Sequence, residues 1–244
     1  MQEAPLKTVE ERLMKIETHC HTLGVSFCSQ VAPEHLGYIY KRHGFRMVVL
    51  TNHLSRQALS KCAFTYADQL KMFINEFNIA KTAAQNYGVK VLLGAEVAIS
   101  SPLSPYTEFM LFGLTPEFLH NMPPLFDLRQ RTLFKLCSDN GILMYQAHPL
   151  RFEHGHSPQD PEFMHGVEIN CHPAFQTYFE QIVDFANRYN LGISCGSDMH
   201  HKSQAGHGGM FVDKSVKTEQ DLAAYMRAHP RPKILLDPKV RVTL

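Results

Sequence analysis

Short apolar runs alternate with amphipathic stretches along this chain. RMVVL (46–50), VKVLLGAEVAI (89–99), TEFMLFGL (107–114), GILMYQA (141–147), GVEIN (166–170) and LGISCGS (191–197) have the length and continuity of buried strands. An earlier apolar run ends in IETHCHT (16–22), where a strand would turn His19 and His21 to one face and Cys20 to the other. Between the runs the period changes to helical. Leu70, Phe73, Ile74, Phe77, Ala80, Ala84 and Tyr87 predict a helix over 68–88 that stops at Gly88. A second helix is predicted over 123–141, with prolines at its start and Asn140-Gly141 at its end. Phe175, Tyr178, Phe179, Ile182, Ala186 and Tyr189 predict a third over 174–190, and 218–229 a fourth, capped by Thr218.

Strands alternating with helices, each strand apolar throughout, predict an α/β fold whose parallel sheet is covered by helices. At 244 residues, a closed or distorted barrel forming a single domain (1–244) is expected rather than an open doubly wound sheet. Neither Gly-rich phosphate loop of the open folds is present.

Composition narrows the picture. Lys and Arg number 24 against 23 Asp and Glu, so nucleic acid is not an expected partner; Arg231-Pro232-Lys233 reads as a solvated tail. No apolar run approaches a membrane span, and no membrane partner is expected. The N-terminal stretch lacks the apolar core of a signal peptide. Six scattered cysteines (Cys20, Cys28, Cys62, Cys137, Cys171, Cys195) read as reduced, mostly buried thiols, and a cytoplasmic location is expected. The C-terminal PRPKILLDPKVRVTL is either an edge strand or a subunit contact.

Histidine stands out, with 15 in the chain. His19 and His21, His53, Glu96, His148, Glu168 with Asn170, and Asp198 with His200 each fall at or near the C-terminal end of a different predicted strand. In a parallel barrel those ends converge on one face, where active sites are built. Imidazoles with a few carboxylates and no thiolate pair suit Zn, Mn or Fe. A carboxylate among histidines is a natural bridge between two ions about 3.5–4 Å apart.

His19-Cys20-His21-Thr22, Thr51-Asn52-His53, Gly94-Ala95-Glu96, Ala147-His148-Pro149, Val167-Glu168-Ile169-Asn170 and Gly196-Ser197-Asp198-Met199-His200 occur in an order that resembles the PHP (polymerase and histidinol phosphatase) superfamily over residues 16–200. The resemblance is to its small stand-alone members. It implies a distorted (β/α)7 TIM-like barrel, two or three divalent transition metals at the strand ends, and hydrolysis of phosphate esters. By the same resemblance, His19, His21, Glu96 and Asp198 would hold one ion, Glu96 would bridge to a second served by His148, and His53 and His200 would serve a third. Members commonly carry another His or Asp after the first motif, where only Cys28 or Ser29 is available here. They often carry a His in the strand after the glutamate, where Glu108 is the nearest ligand, and an Asp where Asn52 stands.

The expected activity is phosphomonoester hydrolysis of a small phosphorylated substrate by a metal-activated water at a di- or trinuclear site, with Asp198, His200 and Arg151 in the catalytic set. Arg151 either clamps a phosphate oxygen or is an ordinary loop arginine. Glu168 and Asn170 either join the ligands or orient a histidine from behind. His154, His156, His172, His201 and His207 are expected in loops near the mouth, mostly solvated. His35, His43, His120, His165 and His229 read as structural, and Cys20 as packing. The alternatives are a degenerate PHP protein that binds metal or a phosphorylated ligand without turnover, and a phosphodiesterase or exonuclease.

Overall fold

A computed structural model describes residues 12–62, 65–99 and 107–237. Among them the strands are β1 (Leu13–Cys20), β2 (Met47–Leu50), β3 (His53–Leu54), β4 (Lys90–Ile99), β5 (Thr107–Phe112), β6 (Leu143–Gln146), β7 (Gly166–Asn170), β8 (Gly192–Gly196), β9 (Gly208–Asp213) and β10 (Ile234–Leu236). The helices are α1 (Leu36–Arg42), α2 (Arg56–Cys62), α3 (Tyr66–Gln85), α4 (Pro116–Asn121), α5 (Gln130–Asp139), α6 (Phe179–Arg188) and α7 (Glu219–Ala228). The sheet order is β10-β9-β1-β2-β4-β5-β6-β7-β8, with β3 also on β4. The sheet curls until its two sides meet. Thr18 Oγ1 donates to Cys195 O at 2.8 Å, and Cys20 bridges in parallel to Met199 just past β8. The result is a TIM-like barrel.

Alternation along the strands separates two packed layers. Met47, Val49, Leu92, Met110, Phe112 and Tyr145 form one cluster. Val48, Leu50, Val91, Leu93, Leu111 and Met144 face the other way, against Leu36, Tyr40, Phe73 and Phe77 of α1 and α3. Burial on both faces explains why the strands read as unbroken apolar runs.

The sheet is not wholly parallel, as the strand pattern led us to expect. β5 runs antiparallel to both β4 and β6, β9 pairs antiparallel with β1, and β10 pairs antiparallel with β9. Residues 100–106 are too few for a parallel crossover, which takes a dozen or more. The chain therefore returns directly, and the first residues of β5 lie at the end of the barrel where β4 finishes: Glu108 sits opposite Ala98. β10 makes the C-terminal segment an edge strand, and its continuation beyond 237 lies outside the described residues.

Two predicted helices start late. The one expected over 123–141 begins at Gln130, after a separate 3-10 turn over Leu125–Asp127. Leu125 and Phe126 are both buried in that turn. The helix expected over 174–190 begins at Phe179, leaving Phe175 in a loop where it stacks under Arg151. Over 66–85 and 219–228 the helices form largely as predicted, the latter with Thr218 accepting from Asp221 N. Arg231 and Lys233 are exposed, but Arg231 is tethered: it donates to Leu191 O and, at 3.0 Å, to Asn187 Oδ1.

Candidate metal centre

The residues that the resemblance assigns to the first ion converge at the barrel mouth. His19 is the penultimate residue of β1, and His21 follows just beyond its end. Their Nε2 atoms lie 3.1 Å apart. Asp198 Oδ1 is 3.3 Å from each of them. Glu96 Oε1 is 3.3 Å from His19 Nε2, and its Oε2 is 3.4 Å from His21 Nε2. Donors at 2.0–2.1 Å around a tetrahedral ion stand about 3.3–3.4 Å apart. His19, His21 and Asp198 thus match three edges of one coordination polyhedron, one Glu96 oxygen lies beside each histidine, and all four side chains are buried.

Glu96 faces two ways. Its Oε1 is also 3.0 Å from His148 Nε2, and its Oε2 is 2.8 Å from His53 Nδ1. Glu108, delivered by the reversed β5, lies 3.4 Å from His148 Nε2 and 3.5 Å from His53 Nδ1. On the far side, His53 and His200 flank His21, each ring centroid 4.3 Å from it, and donor atoms of the three lie within 4.8 Å of one another. The expected donors for three neighbouring ions are therefore brought together around one central carboxylate.

A divalent cation fits this donor set on the structure's own terms. His53 Nδ1 is buried 2.8 Å from a carboxylate oxygen and yet makes no aligned hydrogen bond. Such an atom needs a partner that accepts its lone pair. His148 (φ 30°) and Asp198 (φ 51°) both occupy the left-handed region, strain that is stored where a side chain must be aimed.

Charge is balanced within the cluster. Burial alone would hold Glu96 and Asp198 protonated, but His19 and His53 beside Glu96, and His19 and Arg151 beside Asp198, hold both well below the usual carboxylate range. Burial pushes His19 down, and Glu168, Asp198 and Glu96 outweigh it and raise it well above the usual imidazole range. Glu108 goes the other way, raised by burial and by the Glu96 charge.

A surrounding shell of hydrogen bonds fixes the donors. Glu168 Oε1 accepts from His19 Nδ1 at 2.7 Å, while its Oε2 accepts from His148 N and Asn170 Nδ2, both at 3.0 Å. It therefore orients both histidines from behind. Arg151 is not a surface arginine. It is buried, and its Nη2 donates to Asp198 Oδ2 at 2.5 Å and Asn170 Oδ1 at 2.8 Å. Asn170 thus holds Arg151 rather than pointing at the ion site. Asn52 latches the loop after β1, accepting from Thr22 N and donating to Thr22 Oγ1. Gly196 is required on β8, since a Cβ there would come within 2.5 Å of His19 Cβ.

Several contributors escaped the sequence reading. Glu17 accepts from His19 N and Ser197 N at 3.0 and 2.9 Å and so ties β1 to the Asp198 turn. Glu76 of α3 accepts from Thr22 Oγ1 and Val25 N. A buried Glu on a helix's apolar face was the available signal for Glu76. His156 and His172, expected mostly solvated, are buried. Cys28, though exposed, is influenced by the centre: partial burial pushes its thiol up, but His200 and His53 outweigh this and bring it down to about 6. Ser29 turns away, donating to His21 O at 3.0 Å.

Fold and site together define a TIM-like barrel with a histidine–carboxylate metal centre at one mouth. No protein-family model and no curated protein matches the chain. Solved structures do. A two-domain protein from Bacteroides vulgatus containing a predicted PHP-like metal-dependent phosphoesterase aligns with a TM-score of 0.68 at 18% identity, over 92% of this chain and 65% of that one. The chain therefore spans about two thirds of that protein. PsfC from Pseudomonas syringae aligns at 0.69 and 18% identity, over 93% of both chains. The lesion-specific endonuclease PfuEndoQ from Pyrococcus furiosus aligns at 0.54 and 13% identity, over 92% of this chain and 58% of that one. The barrel is thus of the kind found in PHP-like proteins.

Proposed function

We propose that this protein is a PHP-superfamily metal-dependent phosphoesterase acting on a small phosphate monoester, with two or three divalent ions of Zn, Mn or Fe. The observation that carries the proposal is the placement of Glu96, whose two oxygens each face two imidazoles, with Asp198 Oδ1 completing a four-donor set. His19, His21, Glu96 and Asp198 would hold one ion, His148 a second, and His53 with His200 a third. Such ions supply Lewis acidity and lower the pKa of a water. The chain's own part is to hold the donors. Glu168 keeps the proton of His19 on Nδ1 and frees Nε2 for ligation. Arg151 takes Asp198 Oδ2 and leaves Oδ1 to the centre.

A small substrate is favoured by the charge balance of 24 cationic to 23 anionic residues and by exposed Leu23, Phe27 and Phe152 on the loops after β1 and β6. Among the described residues no helix is long and apolar enough to cross a membrane. Free thiols at Cys20, Cys28, Cys137, Cys171 and Cys195 support a reducing, cytoplasmic setting. The test is hydrolysis of an aryl phosphate with added manganese, zinc or iron, alongside Asp198→Asn. A metal-dependent rate lost in the variant supports the proposal. A loaded protein without turnover of any phosphate ester returns the reading to a binding module, and salt-sensitive cleavage of single-stranded DNA returns it to a nuclease.

A further inference from the structure

The loop after β6 brings a residue to the centre that the family resemblance does not assign. Gly155 (φ 73°) reverses the chain after the 3-10 turn Phe152–His154, and His156 N returns a hydrogen bond to Arg151 O at 3.2 Å. The loop is then pinned to the strand it left: Gln146 Nε2 donates to Ser157 O at 2.8 Å, and Gln159 N donates to Gln146 Oε1 at 2.9 Å. His156 is folded back against His148, with ring centroids 4.7 Å apart, and is 3% exposed. Donor atoms of Glu108, His148 and His156 all lie within 4.8 Å of one another. His148 Nε2 is 3.0 Å from Glu96 Oε1 and 3.4 Å from Glu108 Oε2, separations that again match the edges of a tetrahedral ion site.

We infer that the second ion is held by Glu108, His148 and His156, with Glu96 as the bridge to the first. His156 is then a metal ligand supplied by a loop. Glu108 adds a carboxylate charge to the one that Glu96 shares between the two ions, and this offsets part of the charge a divalent ion brings into a buried site. The inference rests on the proposed metal-dependent reading but does not require turnover.

The test counts ions. The full-length protein and its His156→Ala, Glu108→Gln and His154→Ala variants are loaded with zinc, desalted and analysed for zinc per chain, with zinc affinity measured by chelator competition. His154 is exposed two residues away and serves as the control. Wild type and His154→Ala should hold at least two ions. His156→Ala and Glu108→Gln should each hold one fewer, or bind the second ion at least tenfold more weakly, with unchanged circular dichroism in chelator. Wild-type stoichiometry and affinity in His156→Ala overturn the assignment, and so does a wild type that holds fewer than two ions. Should His156→Ala fail to fold, Glu108→Gln decides by the same count. A fully loaded, inactive wild type that loses one ion in the variants would sink the phosphoesterase reading and leave this assignment standing.

Discussion

Glu168 offers a sharp test because it acts without facing the ion site. Its Oε1 accepts from His19 Nδ1 at 2.7 Å, and its Oε2 accepts from His148 N and Asn170 Nδ2 at 3.0 Å. Every partner is a donor, and the side chain is fully buried. Glu168→Gln keeps the shape and fails electrostatically in either orientation. With the amide NH2 toward His19, Nδ1 must become the acceptor, so the ring proton moves to Nε2, the atom that faces Asp198, Glu96 and His21. With the NH2 reversed, it confronts the His148 N–H and the Asn170 amide. Leaving one buried donor unsatisfied costs about 1–3 kcal/mol of stability. Removing a hydrogen-bond partner that orients a metal-ligating histidine lowers metal affinity about 10–100-fold. We expect Glu168→Gln to fold, melt several degrees lower in chelator, and bind its tightest zinc ion at least tenfold more weakly in chelator competition. A folded variant with wild-type zinc affinity would refute the claim that Glu168 sets the His19 tautomer.

Four further outcomes follow from the same geometry. Arg151→Ala leaves Asp198 Oδ2 buried without its donor while His19 still faces Oδ1, so the metal-free protein should lose about 1–3 kcal/mol in urea unfolding while added zinc restores part of it; no loss would show that the pair is not structural. Glu76 has its pKa raised to about 7, chiefly by burial, from an ordinary 4.5. In that window the unfolded chain gives up its proton first, so stability contributed by protonated Glu76 is complete below pH 4.5 and lost as pH rises to 7. Metal-free Glu76→Gln should lack this decline, of order 1 kcal/mol per pH unit at most, and parallel pH profiles for variant and wild type would contradict the shift. Gly196→Ala drives a methyl into His19 and should lower both the melting temperature and zinc occupancy, whereas wild-type values in both would show that the strand yields there. In metal-free protein Cys28 should alkylate with a rate midpoint near pH 6, and zinc loading should slow it; a midpoint near the ordinary thiol value would remove the His200 and His53 contacts from consideration.

Much of the centre was legible in the sequence because its strongest signals are local. A ligand placed at the end of an apolar strand is visible in one dimension, and His19, His21, His53, Glu96, His148, Asp198 and His200 all carry that mark. Their convergence follows once the strands are taken as neighbours in a barrel. Helix extents over 66–85 and 219–228 were likewise readable, since an amphipathic stripe and a Thr cap are properties of short segments.

Tertiary structure alone decided the rest, for reasons of direction and distance. Glu108 joins the site only because β5 runs backwards, and strand direction is a property of the sheet rather than of the strand. His156 lies in a loop with no periodicity to mark it. Its burial depends on Gly155 and on Gln146, which binds the loop from the strand. Arg151 reads from sequence as either a phosphate clamp or a loop arginine because its partner Asp198 is 47 residues away. A buried ion pair depends on low local dielectric, and that exists only once the barrel has closed around it.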